Sequence, residues 1–148
     1  MSTDVARACR RKQLASVASG LVAPGAGCAW QDWELACILA RLLGTGPHTS
    51  EGVTPPYTTA LEPARAFVRQ ALPGFYVVSG TCARTGHASI GPDYDGPDGE
   101  RLAREWPPDG IAETGWHEEL PHRDGPHREC RAILAAAVRA LSHQNDRT

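Results

Sequence analysis

From Cys130 to Leu141 the apolar residues Cys130, Ile133, Leu134, Ala137, Val138 and Leu141 fall at successive three- and four-residue steps. A helix of 3.6 residues per turn brings those positions onto one face, so this stretch demands a helix and a core able to receive its stripe. Pro126 suits the start, because a proline in the first helical turn forfeits no hydrogen bond. Arg128, Arg131 and Arg139 occupy the remaining sides and read as a wet, basic face.

A second segment is more apolar still. Between Trp33 and Leu43 only Glu34 and Arg41 carry charge, with Asp32 placed as an N-cap and Gly44 as a stop. A helix apolar on nearly all sides is expected to lie at the centre, covered by neighbours. Ala64, Phe67, Val68, Ala71 and Leu72 mark a third helix behind Pro63, ended by Pro73-Gly74, with Arg65 and Arg69 on its wet face. Asp4 opens a fourth, carrying Val5, Ala8 and Cys9, whose pattern fades towards Gly20.

Phe75 to Cys82 is rich in β-branched and aromatic residues and reads as a strand. Thr85-Gly86 reads as a two-residue turn into a partner strand from His87 to Ile90, which sets Arg84 against His87 and Cys82 against Ser89. A lone hairpin is marginal, so more strand is expected in the tract after Tyr94 through Trp116, where Glu100 to Trp106 is weakly helical. The expected fold is α+β, with about four helices around the Trp33–Leu43 helix and a small antiparallel element including 75–82 and 87–90 packed on them. The alternative is an essentially all-α domain with an isolated hairpin. With 148 residues, 41% hydrophobic and 22% charged, the chain suits one globular domain, residues 1–27 forming a peripheral helix and linker.

Charge is unevenly placed. The formal net charge is -2, which argues against a surface that binds polyanions everywhere. Asp93 to Glu119 holds nine acidic residues against Arg101 and Arg104, whereas the first twelve residues carry Arg7, Arg10, Arg11 and Lys12 against Asp4. Lys12 is the sole lysine beside fourteen arginines, a usage that points to a GC-rich bacterial or phage genome. Five cysteines with no CxxC spacing suggest reduced thiols and a cytoplasmic protein. The alternative is export: Arg10-Arg11-Lys12-Gln13-Leu14, the uncharged run that follows and Cys28 resemble a twin-arginine signal with a lipoprotein cysteine. Gln13 and Gly25 depart from that pattern, and the run is too broken by Pro24 and glycines to span a membrane.

Three binding chemistries compete. Zinc needs three or four imidazole or thiolate ligands within about 2.0 to 2.3 Å, and His117, His122 and His127, flanked by Glu118, Glu119 and Glu129, offer a set with Cys130 nearby. Histidines five apart lie about 140° apart on a helix, so convergence requires Pro121, Gly125 and Pro126 to fold the segment into a loop. Cys130 belongs to the apolar stripe and is assigned to the core. Nucleic acid would be met by Arg7, Arg10, Arg11 and Lys12 with the arginine face of the last helix. A protein partner would dock on the acidic 93–120 region through the anchors Trp106 and Trp116.

Other constellations fail on geometry. In the acidic loop from Asp93 to Glu100, Pro97, Asp98 and Arg104 fall where an EF-hand needs a ligand, a glycine and the closing glutamate. Ser79, Thr81 and Cys82 lie near His87, yet the expected register does not align a nucleophile with that base. Gly25-Ala26-Gly27 lacks the strand that a phosphate loop follows. The leading expectation is therefore an accessory module that binds a protein partner, with a zinc-type protein or metal-dependent enzyme, or a nucleic-acid binder, as alternatives.

Overall fold

The C-terminal stripe forms helix α5 (Arg128–Arg147), and every residue from Cys130 to Val138 is buried. In the computed structural model, which describes residues 3–24, 27–44, 54–108, 115–121 and 125–147, α5 is the axis of an α+β fold. Preceding it in the chain are α1 (Thr3–Val22), α2 (Ala29–Leu42), α3 (Leu61–Ala71), β1 (Phe75–Thr81), β2 (Thr85–Pro92), α4 (Gly99–Glu105) and β3 (Trp116–Pro121). The strands make one antiparallel sheet in the order β1-β2-β3. That sheet, α1 and α3 all pack on α5. Ala132, Ala135, Ala136, Ala137 and Ala140 let them come close, because nothing projects beyond Cβ.

The segment expected at the centre lies at the margin. Helix α2 buries Leu35, Ile38 and Leu39 against its neighbours and leaves Trp30 and Trp33 65% and 46% exposed, their ring centroids 5.0 Å apart. One stripe suffices to dock a helix, so the further apolar residues of α2 are surplus to the core. Asp32 sits one turn inside α2 rather than at its N-cap, which is Cys28. Its Oδ1 accepts the Thr58 N–H and the Thr58 hydroxyl, both at 2.8 Å, and so anchors the segment before α3.

Helix α1 runs on through Gly20, and Leu14, Val17, Ala18 and Leu21 are buried, so the first helix is part of the core rather than peripheral. This is the stretch that resembles an export signal. Among the described residues no helix is long and apolar enough to cross a membrane.

Arg131 corrects the expected basic face of α5, being wholly buried. Its Nε donates to the Leu21 carbonyl at 3.0 Å and its Nη2 to the Ala23 carbonyl at 2.6 Å, satisfying acceptors at the C-terminus of α1. A positive charge is favoured there, where the helix dipole is negative.

The hairpin turn also differs from expectation. Ala83 and Arg84 form it, closed by a 2.8 Å bond from the Cys82 N–H to the Thr85 carbonyl, and the register sets Val78 against Ser89 and Gly80 against His87. Gly86 is needed inside β2, since a Cβ there would fall 2.5 Å from Cβ of Arg128, where the sheet meets the start of α5. The third strand begins only at Trp116, at the end of the expected tract, and runs to Pro121.

Candidate functional site on the open sheet face

Side chains alternate across a strand, so a sheet packed on α5 offers one core face and one free face. Phe75, Val77, Ala88, Ile90 and Leu120 point to the core side. The opposite face carries Tyr76, Val78, His87, Ser89, His117 and Glu119. Register makes Val78, Ser89 and His117 neighbours across the three strands, with Gly80, His87 and Glu119 forming the next row. Tyr76 pairs with Gly91, and its hydroxyl reaches Gly115, where a Cβ would lie 3.3 Å from it. The His87 ring lies over Gly80, whose Cβ would fall 3.0 Å from His87 Cε1. The central row is thus bordered by a tyrosine on one side and a histidine on the other.

Within it, Ser89 Oγ and His117 Nδ1 are 2.6 Å apart, and His117 Nε2 lies 3.1 Å from Glu119 Oε1. In a neutral ring both bonds form in the same tautomer, with Nε2–H donating to the carboxylate and Nδ1 accepting the serine O–H. Hydroxyl, base and orienting acid follow in the order that nucleophilic catalysis uses. Acyl transfer also needs donors for an oxyanion. The bonds that close the ladder at Cys82–Thr85 and Gly74–Asp93 show that Ser89 spends its backbone N–H on Val78, while Ala88 and Ile90 turn theirs to β3. No N–H of β2 beside Ser89 is left to hold an oxyanion. What the relay does is fix His117 and Glu119 in place on a surface open to solvent.

The nucleophile candidates near the strand end lie elsewhere. Ser79 and Thr81 are on the α5 side of β1, where their hydroxyls donate to Glu129 Oε1 at 2.8 Å and Oε2 at 3.0 Å, away from His87. Cys82 is exposed at the hairpin tip, and hydrogen bonds from the Thr85 and Arg84 backbone hold its thiol below the ordinary range. Cys130 is in the core, as its stripe requires, and burial followed by the Glu129 charge pushes its thiol up.

His117, in a strand, has both ring nitrogens engaged, and His127 is exposed at the start of α5 with a φ of 60°. His122 lies outside the described residues. Among the described residues no group of three or more His, Cys, Asp or Glu side chains is placed to hold a metal.

Trp106 is 2% exposed, edge-on to Phe75 and Trp116 at centroid distances of 5.1 and 5.6 Å. Trp116 is half-buried and meets His143 at 5.5 Å. Trp106 thus belongs to the core, and Trp116 packs against it with part of its ring uncovered. Of the acidic stretch, Asp98 and Glu105 flank Arg101, which bonds Glu105 at 2.8 Å and the Pro73 carbonyl at 2.9 Å. Residues 109–114 lie outside the described residues.

Arg10, Arg11 and Lys12 are exposed on α1 and Arg7 is half-buried. On α5 the basic face dissolves, with Arg131 inside and Arg139 paired with Glu118. Arg10 and Arg41 border a cavity of about 160 Å³ floored by Leu14, Ile38 and Leu141, and Arg41 bonds Gln13 at 3.0 Å.

The open face was missed because its members lie far apart in sequence. The available signal was the alternation of Gly86 to Ile90 and of Trp116 to Leu120, which becomes a site only once register is known. No family model, curated protein or solved structure matches this chain.

Proposed function

We propose that this chain is an accessory module that binds a protein partner, and that the contact is made by the open face of the sheet. Of the acidic 93–120 region, β3 contributes His117 and Glu119, with Tyr76, Val78 and Ser89 beside them. The supporting observation is the mixture on that face: Val78 and Tyr76 are 60% and 41% exposed next to a polar relay already fixed in place. Interfaces combine an apolar centre with polar groups, and groups ordered before binding cost less entropy on association. Glu119 favours a partner with a basic or donor group at the matching position.

A photo-activated cross-linker placed at position 78 tests this, with position 104 on α4 as the control. The expected result is a discrete protein adduct from 78, absent from 104 and weakened by H117A. Equal adducts at both positions, or none at 78, overturn the reading. The nucleic-acid alternative is tested separately by titrating DNA and RNA at low salt, where phosphate contacts are strongest. The expected result is no binding.

A further inference from the structure

A three-stranded sheet has two edges, and those of this protein are treated differently. On β3 the outward edge carries His117, Glu119 and Pro121; proline has no N–H to offer and the carboxylate repels a copy of itself. On β1 the bonds at Gly74–Asp93 and Cys82–Thr85 assign Tyr76, Val78 and Gly80 to β2, so Val77, Ser79 and Thr81 aim their backbone groups outward. Among the described residues those outward groups meet no backbone partner. Phe75–Thr81 contains no charge and no proline, and its seven ladder pairs with β2 run without a bulge. Charge, proline and a bulge, three devices that blunt an edge, are therefore all missing from β1.

We infer that β1 pairs with β1 of a second copy of this chain, extending the two sheets into one of order β3-β2-β1-β1-β2-β3. This rests on reading the open face as an interface. Antiparallel pairing about a two-fold axis is self-complementary, so one strand can satisfy its own copy. With the axis at Val78, Val77 of each copy faces Ser79 of the other, and the outward N–H and C=O groups of both residues are bonded at once. On the open face Val78, 60% exposed, then meets its twin at the short spacing of a non-hydrogen-bonded pair. Tyr76 comes opposite Gly80, where it meets the His87 ring that lies over that glycine, an aromatic contact rather than a charged one. No charged residue of the strand meets a like charge. The same operation on β3 would bring Glu118 or Glu119 against its own copy and leave Pro121 without a donor, so self-complementarity selects β1.

Sedimentation of the full chain over roughly a hundredfold range of concentration tests this, since self-association follows mass action. The wild type is expected to move from one chain towards two. V78E and V78K, substituted at an exposed position and checked for native melting, should each stay monomeric, and an equimolar mixture of the two should pair. That recovery requires position 78 of one copy to face position 78 of the other. A wild type that stays monomeric throughout, a V78E that associates like the wild type, or a mixture that fails to pair overturns the inference. A monomeric wild type that still cross-links a different protein from position 78 overturns self-pairing and leaves the interface reading standing. A dimer whose position-78 adducts contain only this chain supports self-pairing and overturns the reading of a separate partner.

Discussion

Helix α5 is buried without a break from Cys130 to Val138, Arg131 included, while α2 leaves Trp30 and Trp33 65% and 46% exposed. Both helices carry long apolar stretches, so apolarity alone does not set depth. Volume near the backbone does. The alanines of α5 admit the sheet on one side and α1 and α3 on others, and its large residues Ile133, Leu134 and Val138 fill what space remains. Helix α2 gains its place from Leu35, Ile38 and Leu39, and its two indoles stay 65% and 46% exposed. A central helix is therefore marked by small residues among large ones more than by the total of large ones.

The largest test of this contrast is R131A. The Leu21 carbonyl would lose its donor inside the protein, which costs about 1 to 3 kcal/mol, and removing the largest fully buried side chain leaves a cavity as well. The expected loss is about 4 kcal/mol in urea unfolding. R131K should recover little, because an ammonium on a flexible stem cannot reproduce the guanidinium fork. A loss under about 1 kcal/mol would mean that α1 is not held by this residue.

Next in size is L134A, expected to cost about 3 kcal/mol from lost transfer energy and the cavity left behind. A value near zero would show that α5 can relax into the gap, and the contrast with α2 would fail.

Legibility followed the range of the interactions. The stripe of α5, the helix behind Pro63 and the strand from Phe75 are set by local periodicity, and each forms where the pattern places it. The turn shifted by two residues because Gly86 serves a contact with Arg128, more than forty positions away, that no local pattern encodes. β3 was hidden because Glu118 points to the buried side, where Arg139 pairs with it, so hydrophobic alternation is broken at that residue. Arg131 misled for the same reason, since a charge on a stripe's far side looks solvated until α1 arrives to bond it. The open face depended on register: Ser89 and His117 are 28 residues apart and meet only when β2 and β3 pair as they do.

Thiol chemistry gives a smaller reading of the same contrast. Cys130 on α5 is buried with its thiol pushed up, Cys37 on α2 is half-buried, and Cys82 is exposed with its thiol held down. Alkylation of the native protein at neutral pH should proceed in the order Cys82, Cys37, Cys130, followed by peptide mass mapping, because the thiolate is the reacting form. For Cys130 the sign of the pH effect is fixed by the raised thiol: folding holds the proton more tightly than the unfolded chain does. The stability it contributes is full below the ordinary thiol range, near pH about 8.5, and is lost as pH rises through the folded value. C130A should flatten that alkaline decline, and an unchanged slope would assign it to another group.

The smallest effect is expected from W33A. An indole that is 46% exposed on α2 gives up little buried area, and its nearest ring is the still more exposed Trp30. Surface substitutions of this kind usually stay within about 0.5 kcal/mol, and alanine also favours the helix, which offsets part of the lost packing. Urea unfolding of W33A beside L134A places the two helices on one scale. A cost for W33A approaching that of L134A would mean that the indole pair is packed against more than solvent, and depth in this fold would then follow apolar content after all.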